Sequence, residues 1–274
     1  MTTPTPTASP GSGSMNRRAL LTALTAGAAA LALAAWPGAA GSAPPSPSSL
    51  PGGTWASIAA LPDLTGVWNV KDQFANLGKP RPRPKLTPAY AARQAAYLAA
   101  QAKGENLQPQ SANCLPFGLP MVMTLYPIEF APTPGKITVL METDSQMRRI
   151  FTDGRPLPDD PDLTFQGYSV GHWEGRTLEV DTVGFDPQTP LSPTGAAHSD
   201  KMAIHERMRL AAKDILEIQT TITDPEALAE PFTSTTLYER HRDWTLKEYV
   251  CEENNHDSAD AEGRPAMTLE SARP

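Results

Sequence analysis

The sequence is poor in the residues and motifs that mark common enzyme classes. It has two cysteines and 7% aromatic residues among its 274 positions. The motifs GxxxxGK[ST], GxGxxG, CxxC, CxxCH and HExxH are all missing. Their absence argues against a nucleotide enzyme, a c-type cytochrome and a zincin. Cofactor-free acid/base catalysis and plain ligand binding survive this elimination.

Positive charge is also scarce, and the net charge is −7. The one basic run, residues 79–85, alternates lysine or arginine with proline and lacks aromatic residues for base stacking. This pattern favours an extended polyproline-like surface segment over nucleic-acid binding. We therefore expect no nucleic-acid partner, because a mildly acidic protein has no electrostatic attraction to one.

A single long apolar run lies near the N-terminus. Arg17 and Arg18 precede an Ala/Leu-rich stretch over residues 19–35, which ends in small residues. This tripartite pattern predicts an export signal and a periplasmic location. The arginine pair leaves the twin-arginine and the ordinary export routes both open, and translation starts at either Met1 or Met15. No second apolar run is long enough to span a bilayer, so no stable membrane insertion is expected after signal cleavage.

Composition divides the chain into four parts. Residues 1–43 are an extension with the export signal, 44–60 a Pro/Ser/Gly-rich flexible linker, 61–256 a single folded domain and 257–274 a polar tail. The two cysteines, Cys114 and Cys251, lie far apart within the domain. In an oxidising periplasm the even count favours one disulfide over a reactive thiol. Closing so long a loop contributes on the order of 4 kcal/mol.

One helix and about eight strands are predicted. Thr87 as N-cap, Pro88 at the first position and Gly104 after the end mark a helix over 87–103. A short strand ending at Val70 holds Trp68 as a core anchor, and alternating apolar residues mark strands from residue 137 onward, the last of them over 245–252. Gly175 turns a hairpin between 168–173 and 177–183. In the second of these strands Val180 and Asp181 point to opposite faces. The pattern predicts an antiparallel β-barrel, or a strongly curved sandwich, with one flanking helix. A barrel of this size encloses room for one small ligand.

Several side chains are candidates for chemistry. Glu206 shares a strand face with Ile204 and Met208, so an inward-facing carboxylate there is buried and must be paired or protonated. It is a candidate general base, and the competing interpretation is a structural ion pair with Arg148 or Arg207. The remaining catalytic candidates are His172, His205, Asp181 and Arg149; the ligand-binding candidates are Trp173, Tyr126, Met123 and His198.

Three of the histidines permit a metal site only by tertiary convergence. His172, His198 and His205 lack the HxH or HxxxH spacing that places ligands together locally. A tris-imidazole site is therefore an alternative hypothesis, and no bound metal is expected.

Six segments carry a family resemblance: DLTGVWN (63–69), CLPFGLP (114–120), RRIFTDGRPLPDD (148–160), GHWEGRTLEVDTVGF (171–185), the HSD and HERMR pieces of 198–209, and EYVCEENN (248–255). With these segments the chain resembles an uncharacterised family of exported bacterial β-barrel-like proteins, of sphingomonad and acidobacterial type. The resemblance covers about residues 61–255 and implies export and a barrel fold, without a reaction. The GxW start is also similar to that of lipocalin-like barrels.

The leading functional hypothesis is a periplasmic enzyme for a small, apolar and aromatic molecule. It would be a lyase, dehydratase or isomerase that needs no cofactor. Glu206 or Asp181 would take a proton, His172 or His205 would exchange one, and Arg148 or Arg149 would stabilise an oxyanion. The alternatives are a non-catalytic ligand-binding barrel and a metal-dependent hydrolase.

Overall fold

A computed structural model describes residues 46–73, 82–103, 115–192, 194–249, 257–259 and 265–267. Two α-helices lie in these segments, α1 (Trp55–Ala59) and α2 (Pro88–Ala102). The strands are β1 (Gly66–Val70), β2 (Ile128–Thr133), β3 (Lys136–Met141), β4 (Gln146–Phe151), β5 (Tyr168–Glu174), β6 (Thr177–Val183), β7 (Ala203–Ala212), β8 (Ile215–Thr223), β9 (Phe232–His241), β10 (Asp257–Ala259) and β11 (Pro265–Met267).

Strands β1 to β9 form a closed barrel in sequence order, and β10 pairs with β11 in a separate two-stranded sheet. The predicted β-barrel with one longer helix is confirmed. The expectation of a purely antiparallel barrel is wrong at one place, because β4 and β5 pair in parallel. Residues 152–167 supply the crossover that a parallel pair requires. The strand predicted over 245–252 is absent from its described part, residues 245–249.

The hairpin of β5 and β6 has the predicted bounds and alternation. Gly175 occupies the turn with φ +59°, and Glu174 pairs with Thr177. Leu178 and Val180 are fully buried in the core, which shows that the face they share points inward. Because side chains alternate along a strand, Glu179 and Asp181 point to the outer face of the barrel.

One end of the barrel is closed around Trp68, as predicted for a core anchor. Its indole Nε1 donates to the Leu64 carbonyl oxygen at 2.8 Å, and the Arg240 guanidinium lies 4.3 Å from the centre of the ring. Arg240 also pairs with Asp63 at 2.7 Å. The contact joins β1 to β9 and so closes the barrel seam.

Residues 46–62, which precede β1, cover the same end. The expected flexible linker over 44–60 needs correction, because α1 lies within it and carries a capping box between Thr54 and Ser57. A cavity of about 20 Å³ between this segment and the barrel is lined by Gly52, Ile58 and Trp173, among others. Trp173 thus packs beneath the N-terminal segment.

Helix α2 lies at the opposite end and buries none of its side chains fully. Pro88 begins it as predicted, but the Thr87 side chain makes no capping bond. The Thr87 hydroxyl instead donates to the Glu226 carbonyl oxygen at 2.8 Å. None of the helices in the described segments is long and apolar enough to span a membrane. The predicted export signal, Cys114 and Cys251 lie outside the described residues.

Candidate functional site

A polar layer crosses the barrel interior. We call it the interior polar layer, and it consists of Arg148, Ser169, Thr182 and Glu206. Arg148 is 1% exposed and Glu206 is 2% exposed, although both carry charged side chains. The guanidinium Nη2 of Arg148 donates to a Glu206 carboxylate oxygen in a direct ion pair. The barrel therefore encloses a matched pair of opposite charges.

Strand alternation delivers these two charges to the inside. On β7, Ile204, Glu206 and Met208 are buried together, which confirms that this face points inward. On β4, Arg148 and Ile150 are buried, whereas Arg149 is exposed on the outer face. Arg149 is thus no part of the interior polar layer. Of the two arginines offered as partners of Glu206, the structure selects Arg148.

Two hydroxyl groups complete the coordination of the guanidinium. Arg148 Nε donates to Ser169 Oγ at 3.0 Å, and Nη2 donates to Thr182 Oγ1 at 2.9 Å. The two hydroxyls are 2.9 Å apart. Such a network offsets part of the cost of removing both charges from water, although a buried pair is rarely more stable than an apolar replacement.

The sequence analysis missed Ser169 and Thr182. The signal for Thr182 was present, because it shares the inward alternation of Leu178 and Val180 on β6. Ser169 could have been found from its register opposite Thr182. Hydroxyl residues on an inward face are easily overlooked, since serine and threonine are common on solvent faces as well.

A short 3-10 turn, Met121–Thr124, packs over the interior polar layer, and we call it the plug. Three of its residues, Met121, Val122 and Met123, are buried. The Met123 sulfur accepts a bond from Arg148 Nη1 at 3.5 Å. Burial, reinforced by the charge of Glu206, raises the pKa of Tyr238. Its neutral hydroxyl donates to the Met123 carbonyl oxygen at 3.2 Å.

A second group of candidates meets on the outer face of β6 and β7. His205 Nδ1 lies 2.7 Å from an Asp181 carboxylate oxygen, and its Nε2 lies 3.2 Å from Glu179. Arg207 bonds Glu179 at 2.8 Å and covers it. A depression of about 160 Å³ beside His205 and Asp181 is also lined by Thr221 and other residues. We call His205 and Asp181 the outer group, and both of their side chains are about half exposed to solvent.

The three histidines of the metal hypothesis lie in different environments. His172 is exposed on the outer face of β5, 3.3 Å from Glu174. His205 belongs to the outer group, and His198 is buried in the loop before β7. Among the described residues, no group of three histidine, cysteine, aspartate or glutamate side chains is arranged to hold a metal ion.

The ligand-binding candidates are likewise dispersed. Met123 contacts Arg148, whereas Trp173 packs under the N-terminal segment at the other end. Tyr126 is 47% exposed and makes an edge-on contact with Tyr249, with ring centres 5.9 Å apart. These side chains do not enclose one aromatic pocket, so only Met123 stays associated with the interior polar layer.

His198 holds the loop before β7 in place. Its Nδ1 lies 2.8 Å from the Ser199 carbonyl oxygen, to which it donates. Its Nε2 lies 3.2 Å from the Thr189 hydroxyl. The Ser199 side chain donates to Asp224 at 2.8 Å. With both nitrogens engaged inside the protein, His198 is a structural residue and not a ligand-facing one.

Acid is expected to destabilise the protein through His198. Burial lowers its pKa, an effect that outweighs the bond to Ser199 and the charges of Asp224 and Asp186. Below the unfolded value of about 6.5, the unfolded chain binds more protons than the folded one, so stability falls as the pH falls toward the folded pKa. Each unit of pKa difference is worth about 1.4 kcal/mol.

Urea unfolding of the wild type and of His198→Gln between pH 8 and pH 5 measures this effect. The wild type should lose more stability than the variant as the pH falls through 6.5. Exposed His172→Gln serves as the control and should leave the pH dependence unchanged. Parallel curves for the wild type and His198→Gln would show that His198 does not carry the effect.

No protein-family model matches this chain, and no curated protein sequence matches it either. Within the described residues, two pairs of titratable side chains are the candidates for its chemistry. Arg148 and Glu206 are enclosed in the barrel, and His205 and Asp181 lie open on the outer wall.

Proposed function

We propose that the protein is a periplasmic enzyme that moves a proton on a small, largely apolar molecule within the barrel, without an organic cofactor. Its reaction would be that of a lyase, dehydratase or isomerase. One observation carries the proposal: the Glu206 carboxylate and the Arg148 guanidinium are in contact inside the barrel, almost fully removed from water. A carboxylate next to a fixed guanidinium is a base next to an oxyanion stabiliser.

The roles follow from the chemistry of the two side chains. Glu206 takes a proton from the substrate, and Arg148 donates hydrogen bonds to the negative charge that develops. Ser169 and Thr182 hold the guanidinium in place, so that little reorganisation is needed when the charge appears. A buried pair adds little to stability compared with apolar residues, which supports a chemical reason for its presence.

The outer group is the weaker candidate for the same chemistry. Asp181 orients His205 as a base is oriented in a catalytic triad. However, the other imidazole nitrogen is engaged by Glu179, and the side chains of His205 and Asp181 are about half exposed. Water screens charges strongly at such a position. The electrostatic interaction between Glu206 and Arg148 is therefore stronger than that within the outer group. Variants of the outer group serve as controls for variants of Glu206.

Proton abstraction can be tested by hydrogen exchange before the substrate is identified. A panel of small apolar compounds with acidic C–H groups is incubated with the protein in D₂O, and deuterium incorporation is followed by NMR. Glu206→Gln should lower the exchange rate by roughly 10²- to 10⁴-fold. His205→Gln and Asp181→Asn should leave it within about twofold. Circular dichroism confirms that each variant folds.

The opposite set of exchange rates would assign proton transfer to the outer group. If Glu206→Gln retains the wild-type rate while His205→Gln loses it, the interior assignment fails. If no compound exchanges above background, the enzyme proposal itself fails.

A non-catalytic ligand-binding barrel is the second candidate. The observation that favours it is the completeness of the network: Arg148 bonds Ser169, Thr182, Glu206 and Met123 at once. A binding protein needs such fixed geometry but no proton transfer. Ligand binding without hydrogen exchange would select this alternative.

We also propose that Cys114 and Cys251 form a disulfide after export. Support comes from described residues that lie near each cysteine in the sequence. The Phe117 backbone N–H donates to Asp144 at 3.1 Å, and the Ser145 hydroxyl donates to the Tyr249 carbonyl oxygen at 3.2 Å. One turn, at Asp144 and Ser145, therefore contacts the chain three residues after one cysteine and two residues before the other.

A further inference from the structure

We propose that Arg148 binds the carbonyl oxygen of a small neutral ketone or aldehyde, whose apolar body takes the place of the Met123 side chain. This inference rests on the interior site of the proposed function and gives it a substrate class. It follows from three features: the partners of the guanidinium, the charge balance of the interior polar layer and the attachment of the plug.

One of the hydrogen-bond acceptors around the Arg148 guanidinium is weak. Its Nε and Nη2 atoms donate to oxygens of Ser169, Thr182 and Glu206. Its Nη1 atom donates to the Met123 sulfur at 3.5 Å, and a thioether is a weak acceptor. A carbonyl oxygen at this position would make the stronger bond. The ligand atom next to Arg148 is therefore expected to be an oxygen acceptor.

Charge balance indicates that this acceptor is neutral. Arg148 already faces the Glu206 carboxylate, so the enclosed pair has no net charge. A ligand carboxylate would add an uncompensated negative charge at a site where Arg148 and Glu206 are almost fully buried, which is strongly unfavourable. A ketone or aldehyde oxygen accepts a hydrogen bond without this penalty. The charge pair thus selects a carbonyl compound over an acid.

The rest of the ligand must be apolar. Val122 and Met123 belong to the continuous buried cluster that includes Ile204, Met208 and Tyr238. A body that replaces the Met123 side chain meets these apolar neighbours. Polar substituents there would lose their water without finding partners.

The plug is held by bonds that lie outside the strand ladders. Tyr238 and Thr143 donate to the Met123 and Val122 carbonyl oxygens at 3.2 and 3.4 Å. From the β1 side, Gln73 donates to the Thr124 and Leu125 carbonyl oxygens at 3.2 and 3.0 Å. Displacing the plug therefore leaves every barrel strand pair intact. Local opening of this kind needs less free energy than global unfolding.

The proton transfer on such a ligand balances. Glu206 removes a proton from the carbon next to the carbonyl group and becomes a neutral carboxyl. The C–H electron pair forms a C=C bond, and the C=O bond becomes a C–O⁻ enolate. Arg148 donates to that enolate oxygen. In an isomerisation the Glu206 carboxyl returns the proton to a different carbon of the conjugated system, and the C–O⁻ becomes C=O again. In a dehydration the C–O⁻ becomes C=O, a C=C bond forms between the α and β carbons, and the β C–O bond breaks. The departing hydroxyl takes the proton from the Glu206 carboxyl and leaves as water.

Acetophenone tests the inference, with ethylbenzene as its matched analogue without the carbonyl group. Binding is measured by calorimetry on the full chain, and the carbonyl stretch of bound ¹³C-labelled acetophenone by infrared spectroscopy. The proteins are the wild type, Met123→Ala and the double variant Arg148→Met/Glu206→Met. The double variant removes both charges together, so that neither is left unpaired.

Wild-type protein should bind acetophenone, and Met123→Ala should bind it at least tenfold more tightly, because no side chain must be displaced. The bound carbonyl should absorb at lower frequency than in an apolar solvent. Ethylbenzene should bind at least tenfold more weakly, and the frequency shift should disappear in the double variant.

Equal binding of the two compounds, an unshifted carbonyl or no binding to Met123→Ala would each overturn the inference. If the wild type does not bind acetophenone, the claim that the ligand displaces the Met123 side chain in the native protein is wrong. The proposed function is tested independently, by the hydrogen-exchange experiment. Binding without hydrogen exchange leaves the carbonyl site standing and removes the enzyme, whereas Glu206-dependent exchange without acetophenone binding does the reverse.

Discussion

Replacing Arg148 with methionine, while Glu206 stays in place, is expected to destabilise the protein by about 3–5 kcal/mol. The substitution leaves a carboxylate in the barrel interior, where Glu206 is 2% exposed, without its counter-charge. It also takes donors away from the Ser169 and Thr182 hydroxyls. Urea unfolding followed by circular dichroism measures the loss.

The double variant Arg148→Met/Glu206→Met isolates the cause. It removes both charges and is expected to be close to the wild type in stability, or more stable. Arg209→Met is the surface control, because Arg209 pairs with Glu217 on the outer face and is half exposed. Its loss should stay below about 1 kcal/mol. If Arg148→Met costs no more than Arg209→Met, the interior pair is not a buried charge pair in solution.

Reducing the proposed Cys114–Cys251 disulfide should lower the stability by about 4 kcal/mol, because the bond closes a very long loop in the unfolded chain. The double variant Cys114→Ser/Cys251→Ser should show the same loss without a reductant. Non-reducing peptide mapping of exported protein should find the two peptides linked. The urea midpoint with and without dithiothreitol gives the size of the effect.

The two single variants are the controls for this prediction. Cys114→Ser and Cys251→Ser should each match the double variant, since either one prevents the bond. If each variant differs from the double one, packing of the thiols explains the losses. Two free thiols in the denatured, unreduced wild type would contradict the disulfide directly.

The catalytic candidates fall into two places that differ in solvent exposure, and this difference decides which of them to test first. Glu206 and Arg148 are enclosed, whereas Asp181 and His205 meet in the open. Both pairs place a carboxylate beside a nitrogen-bearing side chain, so residue type alone does not rank them. Their difference in solvent exposure does, because charges act more strongly where water is excluded.

Part of the site was predictable from the order of residues along single strands. Alternation on β7 put Glu206 on the same face as Ile204 and Met208, and all three are buried. The same argument opposed Asp181 to Val180, and the two point to opposite faces of β6. It did not show which face was the interior. It also gave no warning that Glu179 would be buried on the outer face beneath Arg207.

Some candidate residues were expected to lie close together but are far apart in the structure, and these residues come from different elements. His172, His198 and His205 were considered together because of their chemistry, and the structure separates them. Trp173 and Tyr126 were grouped with Met123 for their apolar character, but Trp173 lies at the other end of the barrel and Tyr126 is half exposed. Residue type alone carries no information about which end or face of a barrel a side chain occupies.

The sequence by itself determined most of the elements: alternation set the strands and their two faces, Gly175 set the hairpin turn, and Pro88 set the start of helix α2. These features follow from interactions within a few residues. Only the tertiary structure decided that Arg148 is the partner of Glu206, that β4 and β5 run in parallel and that Met123 covers the pair. Those outcomes depend on barrel closure and register, which bring together strands that are distant along the chain.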